Sequence, residues 1–202
     1  CIMVHAASGI ESFDQLKNVT LALGSGKVFA DYLQSRVALE NVRIVSYSGT
    51  VAKFLLDPNY AQQGYVFSEP LLVSQQGGEP VELMVSDLGF NPYSSVLITR
   101  RELIEDPKTS DYVRRVVRAV SMGWESYLTD PTAANALIVE SNPEMSPELL
   151  EESSKVIAPL CRPEGFEGPI GSMQPVRWSQ LRSQLIELGL LEKGTTPAED
   201  AH

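Results

Sequence analysis

The sequence predicts an α/β fold in which strands and helices alternate in the first half and helices dominate the second. Three observations carry this. Up to Thr99, short apolar runs alternate with helical stretches and with turns rich in Gly, Ser and Pro. Strands separated by helices of that length imply crossovers, and hence parallel pairing. From Pro107 onward, apolar residues recur at helical spacing over several successive segments.

Ile2–His5 is apolar and reads as a strand, and residues 12–17 as a helical turn. Residues 19–23 form a strand that ends in Gly24-Ser25-Gly26, and residues 27–36 a helix with Val28, Phe29, Tyr32 and Leu33 on one face. Residues 42–46 read as a strand, after which Ser48-Gly49-Thr50 leads into a short helix that stops before Pro58. Strands are expected at 65–67, 81–85 and, beyond Asn91-Pro92, at 94–99, with a helix at 70–76. Pro107 opens a long helix carrying Val113, Val116, Val117, Val120, Trp124, Tyr127 and Leu128. Asp130-Pro131 caps a second helix with Ala134, Leu137 and Ile138; Ser146-Pro147 starts a third with Leu149, Leu150, Val156 and Ile157. After a Gly/Pro-rich loop at 162–171 comes a fourth, with Leu181, Leu185 and Leu188, stopped by Gly189. Residues 195–202 are polar and read as a tail. Four amphipathic helices beside one strand either pack on one another as a bundle or flank a sheet; the single strand favours a sheet whose other strands come from elsewhere.

Composition narrows the function. The chain is 43% apolar and 21% charged, ordinary for a globular domain. Its net charge of -10 and pI near 4.7 argue against a nucleic-acid groove. Arg114, Arg115 and Arg118 are the densest basic run and read as a solvated helix face. No apolar run approaches the roughly 18–20 residues of a membrane span, and no signal peptide is visible. Cys1 and Cys161 are too few for a disulfide framework or a zinc site. Cys1 is either a lipid-bearing cysteine or an arbitrary first residue, and a strand that begins at once favours the latter. No cofactor or metal is expected.

The chemical motifs point to binding. Gly24-Ser25-Gly26-Lys27 is not a P-loop, because Leu21 stands where another Gly is required and Val28 where Ser or Thr is required. It is not a dinucleotide fingerprint either, with Phe29 at the third glycine position. A strand, a small turn and a helix N-terminus remain, which suits a polar or anionic ligand atom at Ser25 and Gly26 and equally a plain tight turn. Ser48, Gly49 and Thr50 repeat the arrangement at the next strand end. Glu69 precedes Pro70 and is either a cleft carboxylate or a helix-start acid; Asp87 has the same ambiguity. Phe90, Asn91 and Tyr93 flank Pro92 where the two halves meet, as ligand-stacking residues or as junction packing. Only His5 and His202 are histidines, and no nucleophile elbow or His–Glu metal motif occurs, so no catalytic residue is assigned.

The stretch from Ser8 through Lys17, followed by a strand and Gly24-Ser25-Gly26, resembles the start of the second lobe of type II periplasmic binding proteins. Tyr47-Ser48-Gly49-Thr50, Asp57-Pro58-Asn59, Ala61-Gln62-Gln63-Gly64-Tyr65, Ser68-Glu69-Pro70, Gly89-Phe90-Asn91-Pro92-Tyr93 and Asn142-Pro143-Glu144-Met145 follow in order. Together they are similar to the branch that handles nitrate, sulfonates, thiamine-precursor pyrimidines and riboflavin. The resemblance implies two α/β lobes hinged by crossing strands, with residues 1–92 the complete second lobe plus the first crossing. Residues 93–202 would be the C-terminal part of the first lobe, whose N-terminal strands would lie outside this sequence; the C-terminus also looks clipped. It implies a monomer that hands a small ligand to ABC permease subunits, in the periplasm or lipid-anchored outside the cytoplasmic membrane. Enzymes that make the thiamine pyrimidine are similar in fold but use an active-site histidine and a cysteine-rich motif. The latter is missing here, which favours capture over synthesis.

Overall fold

In a strand, successive side chains go to opposite faces. In β1 (Ile2–His5) both faces are apolar: Ile2 and Val4 enter one buried cluster and Met3 a second. β2 (Thr20–Leu23) repeats this, with Leu21 and Leu23 in the first cluster and Ala22 in the second. Strands buried on both faces belong inside a sheet that is covered on both sides. The computed structural model, which describes residues 1–194, contains such a sheet. Its order is β3-β2-β4-β1-β5, completed by β3 (Arg43–Ser46), β4 (Tyr60–Gln63) and β5 (Pro80–Leu83). The expected tail at 195–202, with His202, lies outside the described residues.

Helices cover each face. α1 (Val28–Arg36) sends Ala30, Tyr32 and Leu33 into the first cluster, beside Phe13, Leu16 and Val37. α2 (Ala52–Leu56) and α3 (Glu69–Gln75) send Phe54 and Val73 into the second. The chain steps outward from β2 to β3 through α1, then back across β2 to β4 through α2. With one crossover hand, a reversed direction of travel puts the two helices on opposite faces.

Parallel pairing holds for β2 with β3 and with β4. β1 departs from that expectation and runs antiparallel to both β4 and β5, between which it is inserted. Its register sets Ile2 opposite both Gln63 of β4 and Leu83 of β5. A second correction concerns residues 65–67, expected as a strand. The strand is β4, five residues earlier in its start, and it ends where Gly64 N–H donates to Cys1 O. The Tyr65 carbonyl then accepts from Ser68 N–H in a turn and Tyr65 N–H donates to the Glu69 side chain, so neither is left for a ladder.

Contacts divide the chain into two compact units, Cys1–Pro92 with Gln174–His202, and Tyr93–Met173. The first therefore includes α8 (Pro175–Glu187), whereas the sequence alone groups that helix with residues 93–173. Leu181 and Leu188 pack against the first cluster, and Arg36 pairs with Glu187 at 2.6 Å across the exposed side. Burial of α8's apolar stripe on that cluster is what draws it there.

The second unit holds α4 (Arg101–Glu105), α5 (Pro107–Thr129), α6 (Thr132–Ser141) and α7 (Pro147–Cys161). Asp106 caps α5 by accepting from Lys108 N–H, and Ser146 caps α7 by accepting from Leu149 N–H. The strand expected at 94–99 is not formed, because no strand among the described residues pairs with it; Val96, Leu97 and Ile98 are exposed. α5 buries no residue, and within this unit only Leu150, Ser153 and Ile170 are buried among the described residues.

Candidate functional site

Parallel strands end on one edge of the sheet. The register sets Leu23 beside Ser46 and Ala22 beside Gln62, so the loops after β2, β3 and β4 emerge next to one another. The winding reverses between β2 and β4. In open α/β sheets the two connections diverge at such a point and leave a crevice outside the carboxyl ends of the strands, where ligands bind.

The loop after β2 is Gly24-Ser25-Gly26. Gly24 N–H donates to Gln63 Oε1 at 2.5 Å, tying the end of β2 to the end of β4 across the reversal. A Cβ on Gly24 would lie 3.0 Å from Lys27 Cγ and 3.2 Å from Gln63 Oε1, so this glycine supplies room. Gly26 has φ of 68° with nothing near its Cβ position, so it supplies conformation. Ser25 is exposed. No side-chain cap closes the N-terminus of α1, which leaves its first N–H groups to solvent or a ligand. On the β3 side of the turn, Ser25 and Gly26 line an open groove of about 280 Å³ with Ala30, Asp31, Gln34 and Ser46.

The loop after β3 carries Ser48, Gly49 and Thr50, all exposed. Gly49 has φ of 79°, and the Ser48 and Thr50 hydroxyl oxygens lie 3.5 Å apart. Tyr47, just before them, donates its phenol to Glu69 Oε1 at 2.7 Å. Burial, then that bond and the charge of Glu69, push the Tyr47 phenol above the ordinary tyrosine range. The loop after β4 carries Tyr65, whose N–H donates to Glu69 Oε2 at 2.8 Å and whose ring stacks on Phe67 with centroids 5.3 Å apart. Both oxygens of Glu69, the first residue of α3, are thus engaged within the protein.

The structure therefore brings Ser25, Gly26, Ser48, Gly49, Thr50 and Glu69 to one sheet edge. It does not bring Phe90 there. That residue is 7% exposed and packs in the first cluster with its ring 4.9 Å from Tyr32, so it is a core residue and not a stacking surface. Asn91 is held by Arg177, which donates to its backbone and side-chain oxygens. Tyr93 opens the second unit. Asp87 is exposed beyond β5, separated from β4 by β1. His5 stacks on Phe54 with centroids 4.0 Å apart and its Nε2 is buried.

Gln63, Tyr47 and Tyr65 were missed by the sequence reading. Gln63 gave a usable signal, as the last polar residue before a glycine at a strand end. It was hidden by the placement of the strand at 65–67.

No curated protein matches this sequence. A family model described as NMT1/THI5 like matches residues 1–134, which take in the whole sheet and its three loops, and the chain belongs to that family.

Proposed function

We propose that this chain is the solute-binding component of an ABC import system and captures a small organic solute such as a thiamine-precursor pyrimidine or riboflavin. The NMT1/THI5-like family covers both ABC substrate-binding proteins and thiamine-biosynthesis proteins. The observation that carries the reading is the set of polar loops after β2, β3 and β4, grouped where the winding reverses. Ser25, Ser48 and Thr50 offer hydroxyls there, and Gly26 and Gly49 offer accessible backbone. The Tyr65–Phe67 pair supplies an aromatic surface beside them, suited to a planar ring.

The environment of His5 supports capture over synthesis. Its ring is committed to Phe54 and its Nε2 is buried, which is poor access for a catalytic histidine. Ligand binding stabilises the ligand-bound state, which permease subunits recognise outside the cytoplasmic membrane.

A thermal-shift screen of the full-length protein against pyrimidines, riboflavin, sulfonates, nitrate and polyamines tests this. A captured solute at a hundred times its Kd adds about 2.7 kcal/mol to stability. A shift with a pyrimidine or riboflavin supports the assignment. No shift with any of these compounds, or conversion of a bound one to product, overturns it.

A further inference from the structure

The amide of Gln63 is oriented by the backbone it touches. Gly24 offers an N–H, and only the oxygen of a primary amide can accept it. The 2.5 Å bond therefore fixes Oε1 toward Gly24 and turns the NH2 group away from it. Among the described residues Nε2 has no hydrogen-bond partner, and Gln63 is half-buried at the end of β4. Gly24 has no side chain, and a Cβ there would lie 3.2 Å from Oε1 and 3.6 Å from Nε2, so the amide lies against backbone. The result is an oriented amide whose N–H donors sit at the carboxyl end of β4, beside the turn that follows β2.

We propose that Gln63 is a ligand-contacting residue that donates from Nε2 to an acceptor oxygen of the captured solute: a carbonyl, carboxylate or sulfonate oxygen. This rests on the capture reading above. A donor held by a second hydrogen bond loses little freedom on binding, which is why a half-buried, tethered amide discriminates better than a free surface one. It also selects by chemistry, because a solute that presented an N–H at this position would leave two donors facing each other.

Gln63→Glu separates the roles. A carboxylate oxygen still accepts from Gly24 N–H, so the turn is kept, but the donor is lost and acceptor oxygens are repelled. The probes are riboflavin, a hydroxymethylpyrimidine, taurine and nitrate, each titrated calorimetrically into full-length wild type and Q63E. For whichever probe wild type binds, Q63E is expected to bind at least about ten-fold more weakly, at an unchanged unfolding midpoint. Wild-type affinity in Q63E overturns the role of Gln63 and leaves the capture reading standing. Binding of no probe by wild type overturns both. If Q63E unfolds at a lower temperature than wild type, Gln63→Met takes its place. It has similar length and no donor, and the same ten-fold threshold decides.

Discussion

Tyr47 donates its phenolic hydrogen to Glu69 Oε1 at 2.7 Å, linking the loop after β3 to the first residue of α3. The same carboxylate accepts the Tyr65 N–H, so one side chain organises two of the three loops at the sheet edge. Both carboxylate oxygens of Glu69 are committed to Tyr47 and Tyr65.

This bond makes stability sensitive to alkaline pH. Burial and Glu69 raise the Tyr47 phenol above its ordinary value. Below about pH 10 both folded and unfolded chains keep the proton; above it the unfolded chain releases it first. The unfolded state then binds fewer protons, so stability falls as pH rises. Urea midpoints of wild type should decline through this range more steeply than those of Tyr47→Phe. Parallel declines would show that Tyr47 does not carry the effect.

Gly24 and Gly26 are expected to respond differently to substitution. Gly26→Ala places a Cβ in open space at φ of 68°, so only backbone strain opposes it, at about 1–2 kcal/mol. Gly26→Asn should recover part of that cost, since Asn tolerates left-handed backbone. Gly24→Ala instead pushes on Gln63 and Lys27, and no such rescue by Asn is expected. Chemical denaturation of the four variants reads both patterns.

Arg177 fastens the end of the first unit's chain. It donates to Asn91 O at 2.9 Å, to Asn91 Oδ1 at 3.1 Å and to Pro92 O at 3.1 Å, while Gln184 Nε2 donates to Gly89 O at 2.8 Å. Arg177→Ala should cost about 1–2 kcal/mol and speed amide hydrogen exchange at Gly89 and Asn91. Exchange at wild-type rates would mean that Gly89 and Phe90 are held by core packing alone.

α5 presents Val116, Val117 and Trp124 at 57%, 49% and 41% exposure. The 202-residue chain is expected to bind a hydrophobic dye, and Val116→Gln with Val117→Gln to reduce the fluorescence. An unchanged signal would place the dye elsewhere.

What the sequence by itself determined was the set of local elements. β1, β2, α1, β3 and α5 to α8 follow from apolar periodicity and from Gly, Pro and Ser punctuation, which act over a few residues. Ser25, Gly26, Ser48, Gly49 and Thr50 were legible for the same reason, as small polar turns at strand ends. Pairing and side-chain company were settled only by the tertiary structure. The run at 94–99 has strand composition but no partner strand among the described residues, and β1 is inserted between β4 and β5, antiparallel to both. Phe90 carried the same signal as a stacking residue and went into the core beside Tyr32. Gln63 can be read locally as a polar residue at a strand end, but its bond to Gly24, 39 positions away, was set by the fold. Hydrogen bonds and burial between distant segments depend on which strands become neighbours, and no window of local sequence contains that information.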